Sequence, residues 1–244
     1  MPMHDWTRVD SGAFHDFHGS WIYAIHHALN GGLLPAGYYA RAEQVAGDIG
    51  PDIITLQEFE PFPANGRGGP AVLELAPPKV RFAAVAKPTK PKLKPRRLTI
   101  RHASGDRVVA ILEIVSRSNK SRTKDAKQFA DKILAAVEGG IHSVVIDPFP
   151  PTASVPNGFH FTIWKKLGGR PFALPPEQPL QLASYEATDP PKCYVEPLAP
   201  GDTLPDMPLF LRPDRYVSLP LELTYRAAWE FIPTKDKIAL TSPL

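Results

Sequence analysis

The chain has 244 residues, of which 43% are hydrophobic and 22% charged, enough to bury a substantial core and too ordinary in balance to be disordered. Its single cysteine, Cys193, excludes an intrachain disulfide and a cysteine-based metal site, and suits a reducing compartment. The net charge of +3 is small, so its distribution matters more than its size.

The opening residues MPMHDWTRVD lack a basic segment followed by an apolar run, so no signal peptide is expected. No window approaches the ~18 consecutive apolar residues of a membrane span. A cytoplasmic protein without membrane association is the natural expectation. The 29 prolines are scattered through the connections and predict many rigid turns within a single folded unit.

In chain order, Phe14, Phe17, Trp21, Ile25, Ala28 and Leu29 recur at helical spacing, and Gly31-Gly32 supplies a stop. His15 and His18 lie one turn apart on this helix. Without a third ligand at suitable spacing they read as packing or surface residues rather than a metal site. A hydrolase built on these histidines would need three of them to converge. Residues 38–46 and 52–57 are β-prone and separated by Gly and Pro, which predicts two adjacent strands. Asp52, after Pro51, opens the second, where an aspartate is equally suited to a turn.

Residues 58–78 read as loop. From Lys79 to Arg101 there are nine basic residues and no acidic one. Lys90, Lys92, Lys94, Arg96 and Arg97 form the densest part of this stretch, and its prolines exclude a helix. Such a segment either protects an edge or neutralises phosphates, which makes nucleic acid a candidate partner. The runs 96–103 and 106–116, joined through Ser104-Gly105-Asp106, predict a hairpin.

The second of these runs, DRVVAILEIVS, is apolar on both faces, as in the centre of a helix-covered sheet. A helical stripe follows (Ala126, Phe129, Ala130, Ile133, Leu134, Val137), and then IHSVVID returns as a strand. This order implies a right-handed crossover between parallel strands. Beyond Pro150-Pro151, residues 159–167, 180–187 and 192–198 read as strands, 201–220 as a proline-punctuated connection and 219–232 as a closing helix.

The first 150 residues thus read helix, three strands, helix, strand, an αβββαβ order in an α/β protein with C-terminal strand and helix additions. The core spans about 12–150, with a basic insertion at 58–105 and an extension at 151–244. Glu113 sits within an apolar strand, where an ionised carboxylate needs a partner or a task. Adjacent strands could bring it to Asp52. Two hard carboxylates beside a lysine suit Mg²⁺ and phosphodiester hydrolysis. Equally, Glu113 could form a structural ion pair with Lys120 or Arg122.

The order, together with Pro51-Asp52 and Glu113, resembles the PD-(D/E)XK nuclease superfamily, whose restriction-endonuclease-like core is a mixed sheet flanked by helices. The segment from EIVSRSNKSRTKDAKQFADK to VVIDP is similar to the Uma-type putative endonucleases. Three further stretches resemble a bacterial family known as domain of unknown function 4058: FHDFHGSWIYAIHHALNGGLLPAGYYARAEQ, EIVSRSNK and GDTLPDMPLFLRPDRYVSLPLELTYRAAWE. The resemblance implies that Asp52 and Glu113 are catalytic residues and metal ligands, with Glu43 a further acid. Val115 occupies the place of the superfamily lysine. Lys120 is the first candidate to replace it, and Lys124 and Lys127 are the alternatives. A catalytically silent nucleic-acid-binding or scaffold protein on the same fold is the rival expectation.

Overall fold

The computed structural model describes residues 3–42, 51–57, 72–87, 106–171 and 175–242. The first long element, α1 (Ser11–Ala28), starts where the Asp10 carboxylate accepts from the amides of Gly12 and Ala13, at 2.7 and 3.0 Å. Phe14, Phe17, Trp21, Ile22 and Ile25 form its buried stripe. The helix ends in a wide turn in which Gly32 takes φ of 128°, a conformation that side chains disfavour.

The chain continues through β1 (Tyr38–Ala42), β2 (Ile53–Gln57), β3 (Glu74–Leu75), β4 (Phe82–Val85) and β5 (Arg107–Ile114). A short helix α2 (Arg117–Ser121) precedes α3 (Thr123–Glu138), and β6 (His142–Asp147) closes the crossover. Then come α4 (Gly158–Lys166), β7 (Leu180–Glu186), β8 (Lys192–Leu198), β9 (Met207–Arg212), β10 (Arg215–Leu219), α5 (Leu221–Trp229) and α6 (Thr234–Thr241).

Among the described residues, seven strands form one sheet in the order β1-β2-β5-β6-β7-β8-β4. Only β5 and β6 pair in parallel, with Ala110 opposite His142, and α3 makes the connection between them. The remaining neighbours are antiparallel. A smaller sheet, β3-β10-β9, packs with α1 and α5 on one face. Helices α3 and α4 cover the other.

Alternation assigns the sides. Ala110, Leu112, Ile114, Val144 and Ile146 join the core under α1, whereas Val108, Ile111, Val115 and Val145 join the core under α3. The mixed α/β architecture expected from sequence is therefore present, and the β5–α3–β6 crossover lies within a residue or two of its predicted bounds.

Two expectations are corrected. Residues 159–167 form helix α4 instead of a strand, because Phe159, Ile163, Trp164 and Leu167 bury one helical face. The stretch 201–220 holds the β9–β10 hairpin, turning at Pro213-Asp214 with Asp214 at φ of 58°. Its Pro208 lies on the edge strand of the small sheet, where a missing amide hydrogen costs no ladder bond. Between β5 and α3 the chain forms the short helix α2, separated from α3 by Arg122, whose φ and ψ of −134° and 148° are extended. Within the stretches read as loop and basic segment, Glu74–Leu75 and Phe82–Val85 are strands. The predicted 96–103 strand, Glu43 and the basic residues Lys90, Lys92, Lys94, Arg96 and Arg97 lie outside the described residues.

Aromatic packing joins α1 to α5. Tyr225 stacks edge-on to Phe17 and Trp21, and its hydroxyl accepts from Trp6 Nε1 at 3.1 Å and from the His4 amide at 3.3 Å. No helix among the described residues is long and apolar enough to cross a membrane. Tyr225→Phe should lower stability by about 1–3 kcal/mol, since two buried donors lose their acceptor. Urea unfolding of the variant beside the wild type measures this loss.

Candidate functional site

The sheet's alternation carries Glu113 to the same side as Ile111 and Val115, facing α3. On β2, Ile54 and Leu56 face that side too, and Asp52 stands two residues before Ile54. The antiparallel register pairs Ile53 with Leu112, so one further step sets Asp52 opposite Glu113. Two carboxylates from neighbouring strands therefore meet at the end of β5, where the chain turns into α2.

Each acid is held by specific groups. Asp52 Oδ2 accepts from the Ile114 amide at 2.6 Å and lies 3.3 Å from His18 Nε2. The same His18 nitrogen is 3.0 Å from the Ile114 carbonyl oxygen, so α1 is tied to the sheet end through this histidine. Glu113 Oε1 is 2.7 Å from Lys132 Nζ, which reaches down from α3.

Burial raises the Glu113 carboxyl from the ordinary 4.5 to about 8, and the neighbouring Asp52 adds to the effect. Lys132 and His18 pull the other way without reversing it. For His18, burial alone would lower the pKa, but the hydrogen bond and charge of Asp52 prevail and the net direction is upward.

These groups line one open cleft of about 610 Å³. Its remaining wall comes from the first turn of α1, with Ser11, Gly12 and His15, and from the β5–α2 turn. That turn is a capping box in which Asn119 Oδ1 accepts from the Ser116 amide and hydroxyl, both at 2.8 Å. Ser118 Oγ lies 2.7 Å from Ser116 Oγ, and Arg117 borders the same space.

Asp52 and Glu113 are thus brought together, as the predicted strand order required. Lys120 is not with them. It is 3% exposed, pairs with Asp147 at 2.7 Å, and donates to the carbonyls of Phe149 and Pro150 at 2.5 and 3.1 Å. The structural partner of Glu113 envisaged from sequence, Lys120 or Arg122, is replaced by Lys132. Lys124 and Lys127 are exposed on α3 and do not line the cleft; Lys127 lies 3.7 Å from Asp131.

Lys132 is the residue that sequence reasoning missed, while His18, weighed from sequence only as a metal ligand beside His15, pairs with Asp52. Lys132 borders the apolar stripe of α3, three residues after Phe129 and four before Ala136, whereas Lys124 lies opposite that stripe. That position on the helical wheel was the available signal. No comparable signal marked His18, whose partner lies on another element.

The donor set is compatible with a hard divalent cation, since Mg²⁺ commonly takes one or two carboxylates and completes its shell with water and phosphate oxygens. Among the described residues there is no group of three or more His, Cys, Asp or Glu side chains arranged to hold a metal ion. Comparison with family models, curated proteins and solved structures finds no match to this chain.

Two outcomes follow. The carboxyl of Glu113 keeps its proton in the folded chain over a range in which the unfolded chain has released it. Its contribution to stability should therefore fall as pH rises from about 4.5 to about 8, by at most ~1.4 kcal/mol per pH unit. Unfolding in EDTA across this range should show a slope that Glu113→Gln flattens. Lys120→Met, which leaves Asp147 buried without its cation, should cost about 3–5 kcal/mol. Most of that loss should return in the double variant Lys120→Met/Asp147→Leu, as read by thermal and urea unfolding.

Proposed function

We propose that the cleft hydrolyses phosphodiester bonds, with nucleic acid as substrate, Asp52 and Glu113 as the ligands of Mg²⁺, and Lys132 as the lysine of the site. The observation that carries this reading is the meeting of two carboxylates from adjacent strands in one cleft, with a lysine ammonium 2.7 Å from one of them. The chain order α1, β1, β2, β5, α3, β6, with β2–β5 antiparallel and β5–β6 parallel, supports a restriction-endonuclease-like core. Val115 points into the core under α3, on the same side as Glu113. A lysine reaching in from α3 serves the side of the sheet that an E-x-K lysine would serve.

When bound, Mg²⁺ supplies a lowered water pKa and a positive charge beside the phosphate. Asp52 and Glu113 would hold the ion. Lys132 offsets negative charge on the phosphoryl oxygens and orients the attacking water. His18 holds Asp52 in place through its contact with Oδ2.

Plasmid and single-stranded DNA incubated with Mg²⁺ or Mn²⁺ should be cleaved by the wild type. Glu113→Ala should abolish cleavage, and Lys132→Ala should slow it by about 10²–10³-fold, the scale of losing one charge-stabilising donor. Absence of cleavage, or cleavage indifferent to both substitutions, removes the hydrolytic reading.

One observation favours a silent nucleic-acid-binding protein instead: each acid already has an internal partner, Lys132 for Glu113 and the Ile114 amide for Asp52. That protein would bind DNA in a salt-dependent way and ignore Glu113→Ala.

A further inference from the structure

Arg117 is the first residue of α2, four positions after Glu113, and is half-buried on the wall of the same cleft. Its Nη2 donates to the backbone carbonyls of Val9, at 2.6 Å, and Trp6. Its guanidinium lies over the Phe149 ring, with Cζ 5.5 Å from the centroid. Two carbonyls and one aromatic face therefore fix the group before any ligand arrives.

The charge is not neutralised by these contacts. Within the described residues no carboxylate pairs with Arg117, whereas Lys132 has Glu113 and Lys120 has Asp147. Lys132 Nζ and His18 Nε2 lie 2.7 and 3.3 Å from Glu113 and Asp52, whereas the guanidinium on the same wall has no acidic partner among the described residues. A guanidinium has five N–H donors in a rigid fork. With Nη2 committed to two carbonyls, the Nη1 and Nε hydrogens remain for a ligand. The hydroxyls of Ser116 and Ser118, 2.7 Å apart, stand on the same wall.

We infer that Arg117 is the phosphate-binding residue of this cleft, holding a phosphate group that flanks the bond to be cut. The flanking position rests on the phosphodiesterase reading above; binding of the anion does not. A site of this kind selects a chain with successive phosphates over an isolated phosphoester. Arg117 thereby acts as a specificity-determining residue, since its remaining Nη1 and Nε hydrogens each offer a charge-assisted hydrogen bond to a phosphate oxygen.

Inorganic phosphate titrated into arginine-¹⁵N-labelled protein, free of divalent cations, tests the inference. The Arg117 Nε–Hε resonance should shift saturably with phosphate and stay still with chloride at matched ionic strength. Arg117→Gln keeps an amide donor for the Val9 carbonyl and removes the charge. It should weaken phosphate binding by about tenfold or more, the scale of one charge-assisted hydrogen bond.

An unmoved resonance, or a folded Arg117→Gln protein that binds phosphate like the wild type, overturns the inference and leaves Arg117 as a tether for residues 6–9. If the variant fails to fold, the wild-type titration alone decides. The titration is made without divalent cation, so a failure of the hydrolytic reading is recorded by cleavage and not by this titration.

Discussion

A lysine and an aspartate buried against each other hold the geometry on which the cleft depends. Lys120 and Asp147 sit 2.7 Å apart with side chains 2% exposed, and burial works against the charge of both. Neither can tolerate the loss of the other, so the end of α2 is locked to the end of β6. The carbonyls of Phe149 and Pro150 complete the lysine's coordination, and Thr152 Oγ1 donates to the Lys120 carbonyl at 3.1 Å. With that end fixed, the capping box at Ser116 determines where the other end of α2 goes. Arg117, Ser118 and Asn119 reach the cleft as a result.

The acids on the opposite side follow a different rule. They owe their meeting to register: an antiparallel β2–β5 pair with Ile53 opposite Leu112 leaves Asp52 beside Glu113. Register in a sheet covered on both faces is strongly specified, because a one-residue slip would turn the apolar residues of β2 and β5 to the wrong layers. The repulsion between the two acids is accepted because their positions are dictated by the apolar packing of the other residues in those strands. Lys132 and His18, from helices on opposite faces of the sheet, moderate it.

How much of this was legible in the sequence depended on whether the signal was local. The β5–α3–β6 crossover could be read because its pieces are long and apolar in a clear period. Helix α4 was misread because Phe159, Phe161, Thr162, Ile163 and Trp164 have strand-like composition, and composition prevailed over the spacing of Phe159, Ile163 and Leu167. The β9–β10 hairpin was missed because its prolines were read as breaks, although one lies on an edge strand and the other in the turn. For the site, Asp52 and Glu113 followed from strand order. The choice among lysines did not: Lys120 is nearest to Glu113 along the chain, but the partner is set by rotation about the α3 axis. His18 reaches Asp52 only through tertiary packing, and nothing in its neighbours announces that contact.

The hydroxyl of Tyr225 bonds to Trp6 Nε1 across 219 residues of sequence, and it belongs to the aromatic layer that seats α1 on α5. During synthesis this layer cannot close until α5 has left the ribosome. By then β2, β5 and α3 have long been available to pair. The α1–α5 seam is consequently later to close than the central sheet. The closing of this aromatic layer is thus placed after the pairing of the central strands by topology alone.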